Sequence, residues 1–372
     1  MGRRREELGG LRGRALIVAA ALSACEGPLE VFEGEHVVVR TELGFDLCGG
    51  TMAHMDEFVA RLAAEMQQAP PTGDERIEFR WYPREHALSL PCTNSEFGCA
   101  RGHEVFSVLM PHNHELVHAV VSERARRVLP FFAEGLAEGY QGLYWQGDAL
   151  TELPLGQANR VQDTLDGDPA ELGLASVGFV RLLVQQHGMA KFLAVYSLLS
   201  RRPSATDVDE ALRTVLGVSL DESIAAFEAL PADCIHSQLD AKLVECSAPA
   251  LEWDDSRLAV FRALDCSQDD AVGPYDGDHL QVLHTLTVRE PGTFELRAIA
   301  ERPDSAVSFN AVVLTPCAGC GGGPPVRVLA GERTRADLAA GRYSLRWMGP
   351  AAVPTTLGFL LERVDGSEPV VP

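Results

Sequence analysis

The sequence predicts an α+β protein: a β-α-β segment, then a long helical region, then a C-terminal β-sandwich. Three observations carry that prediction. Two β-rich runs flank one amphipathic stretch between about Val37 and Met110. From Asn113 apolar residues recur at helical spacing for more than a hundred residues. After about Leu251 the period changes to two, with turn residues at short intervals.

Residues 1–24 read as an export signal rather than as part of the fold. Arg3, Arg4, Arg5, Arg12 and Arg14 form a basic flank, and Ala15 to Leu22 is an apolar run too short to span a bilayer. Leu22-Ser23-Ala24-Cys25 resembles the lipobox of bacterial lipoproteins. The resemblance implies cleavage before Cys25, acyl chains on that residue and durable anchoring to the cell envelope, on its periplasmic or cell-surface face.

Residues 25–110 are expected to form an α/β part. Val37-Val38-Val39 lies in a strand, Thr51 caps a helix from Met52 to about Gln67, and Ile77–Tyr82 and Val105–Met110 are further strands. Residues 111–235 are expected to be helical. One helix starts at Asn113, a second at Pro130 runs to about Gly142, and Val177–His187 stops at Gly188. Ala190–Ser200 and Val208–Leu216 follow, and Ser219-Leu220-Asp221-Glu222 is a capping box opening the last helix. In the sandwich, residues 251–367, strands are expected at Leu280–Val288, Thr293–Ala298, Phe309–Leu314, Arg342–Trp347 and Thr356–Leu361. Gly292-Thr293-Phe294-Glu295-Leu296-Arg297 and Gly341-Arg342-Tyr343-Ser344-Leu345-Arg346 share one pattern, read as two strands that each enter a hairpin.

The 372 residues suffice for two or three domains. A net charge of -21 argues against a protein that grips nucleic acid through a basic surface. Apart from Cys25 there are eight cysteines, an even number that reads as disulfides in an exported chain. Cys92 with Cys99 and Cys317 with Cys320 are close in sequence, and the latter is expected to tie a loop; a zinc ribbon would need a second Cys pair at that spacing.

The chemistry concentrates in His114-Glu115-Leu116-Val117-His118. Histidines four apart share a helix face, so both imidazoles can reach one Zn²⁺, while Glu115 flanks the metal as a general base. A catalytic zinc needs a third protein ligand and an open position. Phe131-Phe132-Ala133-Glu134-Gly135-Leu136-Ala137-Glu138 supplies Glu134 on the next helix. His112 cannot share the ligand face and is given a loop or supporting role. Glu138, one turn after Glu134, is read either as orienting a histidine or as a solvated carboxylate.

These residues resemble the gluzincin, or peptidase MA, superfamily of zinc metallopeptidases over about residues 30–230. That resemblance implies a zincin-like fold, one zinc ion held by His114, His118 and Glu134, and a peptide or protein substrate. The segments Ala175–Leu183 and Val215–Glu222 resemble the helical subdomain of such enzymes. Departures remain. The interval from His118 to Glu134 is shorter than in the thermolysin and aminopeptidase branches, and no Gly-x-Met-Glu-Asn stretch is present, which favours internal cleavage. The family's oxyanion-stabilising tyrosine falls at Ala175, leaving Tyr140, Tyr144, His187 and Tyr196 as other donors. A catalytically inactive zinc-binding scaffold stays open as the alternative.

Overall fold

The computed structural model describes residues 29–41, 44, 46–84, 91–92, 97–122, 130–142, 173–199, 204–230, 239, 243–254, 256–275, 278–301, 310–318 and 322–364. Cys25, Tyr144, Cys234 and Cys320 lie outside them, as does the side chain of Ala175. The order is α+β, with three sheets and seven α-helices among the described residues.

The first sheet holds β1 (Glu30–Glu33), β2 (Val37–Thr41), β3 (Ile77–Trp81), β4 (Gly98–Arg101) and β5 (Glu104–Ser107), in the order β1-β2-β3-β5-β4. β2, β3 and β5 run parallel, and the two edges, β1 and β4, are antiparallel. Helix α1 (Thr51–Glu65) makes the crossover from β2 to β3 and buries Met55, Phe58, Val59 and Leu62, the stripe that helical periodicity marks. Thr51 is its first helical residue, not its cap: Gly50 occupies the N-cap. The Thr51 hydroxyl donates to the Gly273 carbonyl (2.7 Å) and accepts from the Gly273 amide (3.0 Å), 222 residues away. The strand expected to reach Met110 stops at Ser107 because the Ser107 hydroxyl takes the Leu109 amide at 2.9 Å, a local turn that competes with the sheet ladder.

The helices follow as α2 (Asn113–Val120), α3 (Pro130–Tyr140), α4 (Gly173–His187), α5 (Met189–Leu198), α6 (Ala205–Leu216) and α7 (Leu220–Glu228). Capping boxes open α6 at Ser204 and α7 at Ser219, and Gly217 closes α6 in the left-handed region at φ 78°. One core joins the sheet's Val37, Ile77 and Phe79 to Leu116 and Val117 of α2, Phe131 and Phe132 of α3, and Phe179 of α4.

The C-terminal part is a sandwich of nine strands: β6 (Arg257–Leu264), β7 (Val272–Tyr275), β8 (His279–Val288), β9 (Gly292–Ala300), β10 (Ala311–Pro316), β11 (Val326–Leu329), β12 (Arg333–Leu338), β13 (Gly341–Pro350) and β14 (Thr355–Arg363). The sheets read β11-β10-β13-β8-β7 and β12-β9-β14-β6, antiparallel throughout, the strand order of a jelly roll with β7 added at one edge. The two Gly-aromatic-Leu-Arg strands are therefore not hairpin partners of their predecessors. β9 lies in the sheet opposite β8, and β13 in the sheet opposite β12, so each connection passes between sheets.

Three disulfides join described residues: Cys48–Cys266, Cys92–Cys99 and Cys246–Cys317. Such bonds mark a protein of an oxidising compartment. Cys317 thus pairs with Cys246 rather than with Cys320. The short turn Glu245–Ser247 that carries Cys246 is docked on the sandwich, where the Ser344 hydroxyl donates to Glu245 (3.0 Å) and Arg346 forms an ion pair with it. Cys48–Cys266, with the Cys48 amide on the Gly273 carbonyl (3.0 Å), fastens the start of α1 to the sandwich. No helix among the described residues is long and apolar enough to cross a membrane.

Candidate metal centre

Helix α2 begins at His112, its N-cap, directly after the sheet's last inner strand. Its buried side carries Leu116, Val117 and Val120, which forces His114 and His118, four apart, onto the face turned to α3. Helix α3 presents Glu134 to that face. What fixes its rotation is Gly135: a Cβ there would lie 2.6 Å from the Ser176 carbonyl oxygen and 2.7 Å from a Val180 methyl. Only glycine permits α3 and α4 to approach this closely, and the neighbouring Glu134 is thereby aimed at α2.

The three expected ligands converge. His114 Nε2 and His118 Nε2 are 3.1 Å apart, and Glu134 Oε2 is 3.2 Å from the first and 3.4 Å from the second. A divalent ion roughly 2.0–2.2 Å from each of three donors, at tetrahedral angles, separates those donors by about 3.3 Å. The donor set therefore fits a metal ion with no further movement, and these three residues form the described group able to hold one. On the other side of the ring, His114 Nδ1 lies 3.3 Å from Glu138 Oε1, which frees Nε2 for a metal. That contact is the one the orienting reading of Glu138 calls for.

The electrostatics follow from this crowding. Burial alone would lower the His114 pKa, but hydrogen bonds to Glu134 and Glu138 outweigh it and raise the pKa to about 10. Burial pushes Glu134 up, while the two imidazoles pull it far below the usual carboxylate range. Glu115, only 5% exposed, is raised chiefly by burial, against the pull of His114 and His118. A carboxylate whose pKa is raised is better suited to accept and return a proton.

His112 is buried, hydrogen-bonded through Nδ1 to the Ser107 hydroxyl at 2.8 Å, and its ring stacks on that of His114 at 5.9 Å between centroids. Burial first, then the charges of His114 and His118, keep its pKa well below that of a free imidazole. Edge strand β4 passes over this corner at Gly98, where a Cβ would meet His112 Nδ1 at 2.9 Å and Glu115 Cγ at 3.2 Å. Sequence reasoning missed Gly98 and the structural part of Gly135. Neither carries a signal in a single sequence, since each is set by a partner distant along the chain.

The other candidate donors separate. Tyr140 points its hydroxyl at Glu65 (3.4 Å). His187 ends α4, where burial and Lys191 lower its pKa. Tyr196 is fully buried, and its hydroxyl has no hydrogen-bond partner among the described residues. Burial and the Glu134 charge raise its pKa. His54 and His279 line a small cavity of about 30 Å³ between the helical part and the sandwich, and His284 packs on Trp347. Gln141, which also lines that cavity, donates to Glu138.

No protein-family model matches the chain, and no curated protein does. Among solved structures it is matched to one described as the crystal structure of FeII HppE, at 11% identity and a TM-score of 0.13, over 50% of this chain and 97% of the other. A second is hydroxypropylphosphonic acid epoxidase from S. wedmorenis, at 10% identity and a TM-score of 0.12, over 64% of this chain and 100% of that one.

Proposed function

We propose that the chain is a zinc-dependent peptidase that hydrolyses peptide bonds outside the cytoplasm, tethered to the cell envelope through a lipidated Cys25. The observation that carries the reading is a buried carboxylate, Glu115, on the same turn of helix as two imidazoles that meet a third ligand. Metal binding alone has no use for Glu115, and burying a carboxylate without a task is costly. Zinc bound by His114, His118 and Glu134 would act as a Lewis acid, bringing the pKa of a water toward ~7. Glu115 takes the proton of the attacking water and returns it to the departing amine. Glu138 holds His114 in the ligating tautomer, and α3 holds Glu134 against both imidazoles.

The test is metal analysis of purified protein together with cleavage of a broad peptide library. Wild type is expected to hold one zinc and to cleave; Glu115→Gln is expected to hold zinc and not cleave. Equal cleavage by both would remove Glu115 from its role. Metal binding without cleavage by wild type would leave a zinc-binding scaffold.

A further inference from the structure

Two residues ahead of the first ligand, His112 takes no part in the chemistry above, yet it is buried and anchored. Its ring lies within 29° of parallel to the His114 ring, at 5.9 Å between centroids. On its other side the Ser107 hydroxyl sits 2.8 Å from Nδ1. Ser107 is itself fully determined. Its oxygen accepts the Leu109 amide at 2.9 Å and faces two carbonyls, Phe97 at 3.2 Å and Leu109 at 3.1 Å. One hydroxyl proton given to a carbonyl, with the Leu109 amide and His112 Nδ1–H received, uses every donor and acceptor of that oxygen. Above the ring, β4 crosses at Gly98, whose Cβ position is 2.9 Å from Nδ1 and 2.7 Å from the Phe106 carbonyl oxygen, so nothing larger than a hydrogen fits. Strand, serine and glycine thus hold one imidazole beside the ring of a ligand, 5.9 Å away between centroids and 29° from parallel.

We propose that His112 is a positioning residue for the metal centre: anchored by Ser107 and capped by Gly98, it sets the ring plane of His114. The inference rests on the metal reading of His114, His118 and Glu134. Glu138 fixes which nitrogen of His114 is bare, but a single hydrogen bond leaves the ring free to tilt about it. The stacked neighbour removes that freedom, so the entropy of ordering the ligand is spent on folding rather than on binding.

The experiment measures zinc affinity by competition with a chromophoric chelator, alongside the melting temperature of the metal-free protein, for wild type, His112→Ala, His112→Phe and Ser107→Ala. The expected loss of zinc affinity is about tenfold or more for His112→Ala, as for other groups that orient a ligand from behind. Ser107→Ala should lose less, and His112→Phe, which keeps a ring but not the anchor, should fall between wild type and His112→Ala. Zinc affinities within twofold of wild type in all three variants would overturn the inference, whether or not the melting temperatures fall, because a packing role alone would move only the latter. Wild type that takes up no zinc would overturn the metal reading itself, and this inference with it.

Discussion

His114 Nδ1 and Glu138 Oε1 lie 3.3 Å apart, while the opposite nitrogen of the same ring faces Glu134 and His118. One imidazole is thus gripped from both sides, by a carboxylate that would bind metal and by one that would not. Glu138→Ala is expected to weaken zinc binding about 10- to 100-fold while leaving all three ligands in place. Chelator competition measures this; an unchanged affinity would make Glu138 a solvated carboxylate after all.

Gly135 tests whether helix packing sets the site. Alanine ordinarily favours a helix over glycine by about 1 kcal/mol. Here its methyl would be driven against the Ser176 carbonyl, 2.6 Å from the Cβ position, and backbone yields poorly. Gly135→Ala should therefore destabilise the fold, by about 1–3 kcal/mol, and weaken metal binding as α3 is pushed off α4. Urea unfolding of the metal-free chain gives the first and chelator competition the second. A more stable variant would show that the helices are free to part.

Local chemistry was legible in the sequence and long-range contact was not. The interval from His114 to His118 and the proline opening α3 are properties of single helices, so both ligand-bearing helices could be placed from spacing alone. Ser219 announces α7 by a capping box that closes within four residues. Thr51 misled because its hydroxyl is engaged 222 residues away, and Cys317 because its partner Cys246 lies 71 residues away along the chain. Four sandwich strands were missed for local reasons: β7 contains Gly273-Pro274, β11 is only four residues long, β6 sets Arg262 on its inner side between apolar positions, and β12 buries only Leu338. The proposed chemistry rests on the legible part, and the positioning of its residues on the rest.

The metal-free protein should reveal the His114 pair through pH. The folded pKa of His114 is raised from 6.5 to about 10, so its contribution is complete below 6.5 and lost as pH rises toward 10. Glu134 is depressed from 4.5, so its contribution is complete above 4.5 and lost as pH falls. The pair therefore stabilises most between these values. His54, lowered to about 4 by burial, has the opposite sign: its contribution is complete above 6.5 and lost as pH falls toward 4. The clean observable is accordingly the difference in urea midpoint between wild type and His114→Ala, both in EDTA. That difference should shrink from pH 6.5 to 10. Added zinc must displace the His114 proton, so its affinity should rise over the same range. A difference that stays flat would remove the ion pair from the metal-free fold.

The seam between the two halves makes the last prediction. Glu245 and Arg346 are both nearly inaccessible, with side chains 8% and 6% exposed, and Ser344 completes the carboxylate's hydrogen bonding. Removing one member of such a pair strands the other's charge in a medium that cannot solvate it. Arg346→Met is therefore expected to cost about 3–5 kcal/mol. Because Glu245 belongs to the turn that carries Cys246, and His54 of α1 feels both charges, the damage should reach beyond the sandwich. The double variant Glu245→Leu/Arg346→Met removes both charges together and should recover most of the loss, since a well-packed apolar pair is often as stable as a buried ionic one. Urea midpoints of the two single variants and the double variant measure the coupling. Additive losses would mean that the two charges do not compensate each other, and that the seam is held by its other contacts, among them the Cys48–Cys266 bond and the Thr51–Gly273 hydrogen bonds.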